Sequence, residues 1–230
     1  MLDPWREIRS HCFGNEEPAV ELVAYTVPAA DRLTEELPAI SAAVSYGSEI
    51  NTLEEAQKLN RKLIERGHLT PIESVTFNFY VTGISKIAGS QLSRHRIGQG
   101  HVSSSRRFRQ QEMSFVYPML NYMKDEREVK QVYELMSLSN QHAFEQYLLL
   151  KGRHKDVKKS DARYIIPAST ATMRHWWVNA RALRDFLRLR LAPDAEAEIR
   201  RLAGMVLVIA KEVTPSLFED FPLQEEQWTP

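Results

Sequence analysis

Apolar residues recur along this chain with two different periods, and the switches between them lay out an order of elements. Val20 to Val27 reads as an early strand. Asp31 then opens a polar-to-apolar segment that runs through Pro38 to Ser45 and predicts a helix started or broken at the proline. Asn51 and Thr52 each stand three positions before a glutamate, and Leu53, Ala56, Leu59 and Leu63 recur at helical spacing up to Gly67, which predicts a capped helix with a glycine stop. Val75, Phe77, Phe79 and Val81 alternate with Thr76, Asn78, Tyr80 and Thr82, the clearest strand in the chain, with Gly83 as its end. Ile84 to Ser93 reads as a short helix delivering Arg94 into a polar loop, and Met113 to Tyr117 as a strand closed by Pro118. Asp125 to Leu150 reads as a long amphipathic helix with Val129, Val132, Met136, Ala143 and Tyr147 on one side. Ser160 can cap a brief helix ending near Pro167, Thr170 to Val178 is β-prone, and Asn179 looks like the N-cap of a helix carrying Leu183, Phe186, Leu187 and Arg190. A last helix is expected from Asp194 through Ile199, Leu202, Val206 and Ala210.

Strands mixed with helices, without regular alternation and without a glycine-rich fingerprint after a strand, predict an α+β fold in which helix predominates. The 230 residues and 43% apolar content suit one large domain over 1–230, and the charged stretch 151–160 is too short to divide it. Thirty basic and thirty acidic residues cancel, which argues against coating of nucleic acid or a basic membrane-binding surface. Cys12 is the single cysteine, so no disulfide forms within the chain, and no apolar run approaches the ~20 residues of a membrane span. The expectation is a cytoplasmic protein without nucleic-acid or membrane partners.

Against this neutral background, residues 94–106 stand out as a dense mixture of arginine, histidine, glycine and serine. Arginine presents a planar fork that matches phosphate oxygens, and glycine and serine allow backbone N–H groups to approach the same anion. A small phosphorylated ligand is implied more than a polyanion. The blander reading is a solvated basic loop, with Arg163, Arg181 and Arg190 paired to neighbours such as Asp161 and Asp185. The histidines stand beside arginines or glycine, which disfavours a metal site. His-Glu-x-x-His, Cys-x-x-Cys, Gly-x-Ser-x-Gly and Walker motifs are absent from the sequence.

At these residues the chain resembles the flavin-dependent thymidylate synthases, whose signature is Arg-His-Arg-x-x-Ser-x-Asn-Glu-x-Ser-x-Arg. Arg94, His95, Arg96, Ser104 and Arg106 match it. The flanks agree: residues 67–73, Gln91, Ala162-Arg163 before Ile165-Ile166-Pro167, and Val178-Asn179-Ala180-Arg181 continuing to Leu189-Arg190, so that the resemblance runs from about Val20 to Phe221. It implies a helix-flanked antiparallel sheet and a homotetramer whose subunits share active sites. It further implies FAD, with NADPH and methylenetetrahydrofolate as co-substrates, and C5 methylation of a uracil nucleotide. By resemblance, Ser45, His68, Thr70, Glu73, Arg94, His95, Arg96, Ile97, His101, Asn179, Arg181, Asp185 and Leu189 fall at flavin positions. Gln91, Arg94, Val102, Ser104, Ser105, Arg106, Arg163 and Arg190 fall at nucleotide positions, with Arg106 and Arg163 as phosphate clamps and Arg190 assisting catalysis as a fixed cation beside the uracil. Ser104 is read as a binding group and not a nucleophile, and Cys12 lies far from every motif.

Departures gather inside the signature. Gln99 replaces its serine, His101-Val102 its Asn-Glu pair, and Ser105 and Arg107 surround the last arginine, while Asp185 and Asp194 differ further on. Removing a carboxylate that meets a sugar hydroxyl costs about 1.5–3 kcal/mol of charge-assisted bonding unless His101, Gln99 or another group substitutes. Three readings stay open: a dUMP methylase with an altered loop, an enzyme that also admits UMP, and a flavin- or nucleotide-sensing protein that has lost methyl transfer. A more distant one is RNA binding through Trp176 and Trp177, although paired tryptophans are more often core.

Overall fold

The computed structural model describes residues 3–29, 31–104 and 113–222, with the Tyr46 side chain also left aside. In chain order the elements are α1 (Arg6–Ser10), β1 (Ala19–Tyr25), α2 (Glu36–Tyr46), α3 (Leu53–Glu65), β2 (Thr76–Ser85), α4 (Lys86–Leu92), β3 (Gln99–Ser103), α5 (Glu126–Arg153), α6 (Lys159–Ala162), β4 (Ala171–Asn179), α7 (Ala180–Arg190), α8 (Ala197–Val213) and α9 (Pro215–Phe218). Two 3-10 turns, Pro71–Ser74 and Arg163–Ile165, complete the set. The strands form one antiparallel sheet in the order β1-β2-β4-β3, as an α+β, helix-rich fold requires. The chain divides into two compact units. The first holds residues up to Ala19, Val81–Ser93 and Val102–Arg174; the second holds Val20–Tyr80, Arg94–His101 and the chain from His175 onward.

In the second unit, local rules set the element ends. Thr52 accepts from the Glu55 N–H at 3.2 Å while the Glu55 carboxylate accepts from the Thr52 N–H at 3.3 Å, a reciprocal cap that starts α3. Gly67, with φ of +70°, ends it: its N–H reaches the Ile64 carbonyl at 3.0 Å and the His68 N–H reaches Leu63 at 2.8 Å, so the stop itself sets His68 at the helix exit. Asn179 caps α7 by accepting from the Ala182 N–H at 2.8 Å, as its sequence position predicts. The core is aromatic. Trp176 is fully buried, 5.5 Å from Phe79 and 5.1 Å from Phe186 between ring centroids, which removes it as a base-stacking surface. Buried Arg184 ties α7 to the residues beyond α9 through two bonds to Asp220, at 2.7 and 2.6 Å.

In the first unit, Phe115, Tyr117, Leu120, Val129 and Tyr133 form a core around α5, whose N-cap Asp125 accepts from Arg127 and Glu128. Ser85 caps α4. Gly83 does not end β2, as the alternation pattern suggests. It lies within the strand at φ +63°, where a Cβ would come 1.9 Å from the Glu17 carbonyl oxygen, so the glycine permits a close backbone approach. Met113 to Tyr117 is not a strand. Phe115 bridges Asn15 on one side and Thr170 on the other, and with its bonds divided between two partners no ladder extends. The segment 94–106, read as a loop, contains β3, and α8 begins at Ala197, beyond the expected Asp194. Ser160 does not cap α6, whose N-cap is Lys158.

Candidate active site

Every residue matched to the flavin belongs to the second unit. Two cavities in that unit gather most of them. One, of about 380 Å³, is lined by Glu73, His95, Arg96, Ile97, Gly98, Asn179, Arg181, Ala182 and Asp185. The other, of about 440 Å³, is lined by Ser41, Ser45, Leu63, Gly67, His68, Thr70, Pro71 and Ser74 among others, and Arg181 lines both. Arg94 and Leu189 are exposed and line neither, and half-buried His101 stands on β3.

The walls are held by bonds made within the unit. Arg181, on the first turn of α7, donates to the Glu73 carboxylate at 2.6 Å, with both side chains near half exposure. The blander alternative, with Arg181 and Arg190 paired to neighbours such as Asp185, is not what forms: the Asp185 carboxylate takes Arg188 at 3.4 Å. Gly98 has φ of +69°, and a Cβ there would stand 2.7 Å from the Asn179 amide and 2.9 Å from Ala182. The cavity floor therefore depends on a missing side chain as well as on those present. Gly100 repeats the device, since a Cβ would meet the Trp177 indole at 2.4 Å. The Gln99 side-chain oxygen accepts from the Trp176 indole N–H, which anchors the strand, and its amide nitrogen is buried without a partner among the described residues.

His95 and Arg190 are joined side chain to side chain. The Arg190 Nε–H donates to His95 Nε2 at 3.2 Å, which makes Nε2 the acceptor and places the ring proton on Nδ1. The imidazole packs edge-on against Phe186 at 5.2 Å. Burial pushes its pKa below the ordinary 6.5, the Arg190 charge pushes it further down, and Asp185 partly opposes both. His95 is thus a neutral acceptor that holds the arginine stem, while the two terminal nitrogens of Arg190 have no protein partner among the described residues.

Of the residues matched to the nucleotide, Arg94 and Arg190 lie in the second unit and Gln91, Val102, Ser104 and Arg163 in the first. The Gln91 side-chain oxygen is buried without a partner among the described residues. Ser104 is tied to β4: its N–H donates to the Met173 carbonyl at 2.9 Å and its hydroxyl accepts from the Met173 N–H at 3.4 Å, leaving the hydroxyl proton and not its own N–H for a ligand. Val102 is 62% exposed, an apolar side chain presented to solvent. Arg163 is half-buried and makes no ion pair with Asp161, whose carboxylate takes the Ser160 hydroxyl at 3.0 Å. Ser105 and Arg106 lie outside the described residues, as do Arg107 and Arg109. Cys12 sits beside the Ile8 and Tyr133 carbonyls, and burial raises its pKa, which opposes a thiolate. Among the described residues no group of three or more His, Cys, Asp and Glu could hold a metal ion, and no helix is long and apolar enough to cross a membrane.

Sequence reasoning missed Gly98 and Gly100 as shape-determining positions and Arg174 altogether. Gly98 follows Ile97 and Gly100 follows Gln99 in a run that is otherwise mostly polar, where composition reads as flexibility and only coordinates reveal the side chain opposite.

Comparison with known proteins agrees with this geometry. Residues 21–216 match the family described as thymidylate synthase complementing protein. The flavin-dependent thymidylate synthase of Thermosipho africanus is 34% identical over 206 residues, which cover 83% of this chain and 88% of that protein. That of Thermosipho melanesiensis is likewise 34% identical over 206 residues, with 83% and 87% covered. The flavin-dependent thymidylate synthase of Sulfurisphaera tokodaii is 32% identical over 206 residues, or 86% of this chain and 76% of that protein.

Proposed function

The chain belongs to the family of flavin-dependent thymidylate synthases, FAD-dependent enzymes that methylate a uridylate at C5, and from that membership we propose how its own residues divide the work. The observation that carries the reading is the convergence of Glu73, His95, Arg96, Ile97, Asn179, Arg181 and Asp185 on one cavity. Its donor set fits a flavin dinucleotide: two guanidinium groups for the diphosphate, a backbone approach opened by Gly98, and a second cavity lined by Ser45, His68 and Thr70. The bound flavin supplies the hydride. NADPH is its reductant, methylenetetrahydrofolate donates the carbon, and the domain spans residues 1–230 of each subunit of a cytoplasmic homotetramer with shared sites.

Each protein residue then has a task. Arg181 and Arg96 hold cofactor phosphates, and Asn179 keeps the α7 N-terminus aimed at them. Arg163 and Arg106 clamp the nucleotide phosphate, and Gln91 and Ser104 orient the uridylate by hydrogen bonds. Arg190, with its stem fixed by His95, turns its free nitrogens toward the uracil edge and stabilises negative charge that develops as C5 becomes nucleophilic.

Val102 favours a second substrate. Its exposed apolar side chain stands where a carboxylate would otherwise meet the sugar, and this is the observation behind UMP as a substrate beside dUMP. Tritium release from C5-labelled dUMP and UMP, assayed side by side with flavin, NADPH and methylenetetrahydrofolate, tests both. Release from either nucleotide supports C5 chemistry, and none from flavin-loaded protein would leave a binding or sensing role. If Val102 relaxes sugar choice, Val102→Glu lowers the UMP-to-dUMP ratio at least tenfold; an unchanged ratio removes Val102 from sugar selection.

A further inference from the structure

Three arginines are buried among the described residues: Arg9, Arg174 and Arg184. Two of them are balanced. Arg9 meets Asp3 and Glu17 at 2.5 and 2.9 Å, and Arg184 meets Asp220 at 2.6 Å. Arg174, only 8% exposed, has no carboxylate within ion-pair distance among the described residues. One terminal nitrogen donates to the Ser93 hydroxyl at 2.9 Å, and Nε is buried without a partner among the described residues. The guanidinium lies over the α-carbon of Gly89, where a Cβ would come 2.6 Å from a terminal nitrogen, so α4 is shaped to admit it. Burial alone displaces its pKa, downward, with no acidic neighbour to offset that.

The surroundings say what the missing charge is for. Gly89 lies on the same short helix as Gln91, Ser93 is that helix's C-cap, and the Gln91 side-chain oxygen is also buried without a partner among the described residues. On β4, Met173 directly precedes Arg174 and exchanges two hydrogen bonds with Ser104. Within the first unit, Arg174 therefore packs on the helix that carries Gln91 and directly follows, on β4, the residue bonded to Ser104. We propose that Arg174 is an additional anion-holding residue of the nucleotide site, and that the phosphate of a pyrimidine nucleoside monophosphate supplies its counter-charge. The assignment rests on the uridylate reading above. A guanidinium fork pairs with a phosphate dianion at two oxygens, and an unbalanced buried cation destabilises the free protein until the ligand arrives.

The test compares flavin-loaded wild type with Arg174→Met and Arg174→Lys, by melting without nucleotide and by calorimetric titration with UMP, dUMP and uridine. Removing an unbalanced charge with a side chain of similar length leaves the melting temperature equal or higher, so Arg174→Met is expected to melt at or above wild type. It should bind both nucleotides at least tenfold more weakly and uridine unchanged, and Arg174→Lys should recover part of the nucleotide affinity. Wild-type nucleotide affinity in Arg174→Met, a parallel loss of uridine, or a lysine variant as weak as methionine would each overturn the assignment. So would a methionine variant that melts lower or fails to fold, since the charge would then be balanced within the protein. Wild type that binds neither nucleotide would defeat the uridylate reading itself, an outcome visible before any variant is compared.

Discussion

The two units of the chain treat their polar groups in opposite ways. In the second unit, the residues of the candidate site are held by bonds within the protein: Arg181 to Glu73, Arg190 to His95, Asn179 to the start of α7. In the first, Gln91, which is matched to the nucleotide, and Arg174 leave a buried side-chain oxygen and a buried Nε without partners among the described residues. A prebuilt site loses little freedom when its ligand binds, whereas open buried groups make the empty site unfavourable and the filled one tight. A resident cofactor suits the first arrangement, and a substrate that must come and go suits the second.

Arg190 crosses this division, since it is matched to the nucleotide yet held in the flavin unit, and its removal should have the largest effect. Arg190→Met is expected to lower C5 tritium release about 10²- to 10³-fold, the usual consequence of deleting a charge-stabilising donor. Flavin content should stay near wild type because the cavity walls keep Glu73, Asn179 and Arg181. Loss of flavin in parallel with activity would show that Arg190 belongs to the cofactor site alone.

Glycines allow the same contrast to be drawn in stability. Gly98→Ala forces a side chain into a left-handed backbone and against Asn179 and Ala182, and should cost about 1–3 kcal/mol in denaturant unfolding and reduce bound flavin. Gly152→Ala, near the end of α5 with nothing within 4 Å of the new methyl group, should stabilise by about 0.5–1 kcal/mol and leave flavin untouched. Equal effects at the two positions would mean that the flavin unit is no more tightly specified than the other.

Much of this arrangement was legible in the sequence, and the illegible part has a physical pattern. Periodicity located α3, β2, α5, β4 and α7, because each buries one regular face and the three helices also carry side-chain caps. It misplaced Met113–Tyr117 and the end of β2, where pairing with distant segments and not local preference decides the backbone. The family motif picked out residues that the fold gathers, for the most part, around two cavities of one unit. Arg174 was invisible because a lone arginine in a β-prone stretch signals nothing until burial without a carboxylate is seen.

His95 offers a pH test of the flavin unit. Its folded pKa lies below the ordinary 6.5, so the unfolded chain takes the proton first on acidification. The stability contribution is therefore complete above about pH 6.5 and is lost as pH falls below it toward the folded pKa. Denaturant unfolding between about pH 7.5 and 5.5 should show this decline in wild type and a flatter profile in His95→Gln. Identical profiles would mean that the imidazole titrates as freely in the folded protein as in the unfolded chain.

The smallest expected change in stability comes from the ion pair that looks strongest. Arg181 and Glu73 meet at 2.6 Å, but their side chains are 46% and 40% exposed, so solvent screens the pair and its loss should cost under about 1 kcal/mol. Glu73→Gln should therefore melt close to wild type. It should still bind flavin several-fold more weakly, because Arg181 lines both cavities and an arginine released from its carboxylate no longer holds one position in the shared wall. High salt should weaken flavin binding in wild type by screening this pair, and the variant should be less sensitive to it. A large drop in melting temperature with unchanged flavin affinity would invert the assignment: the pair would be a structural clasp, and the order in the flavin unit would come from its aromatic core and its glycines instead.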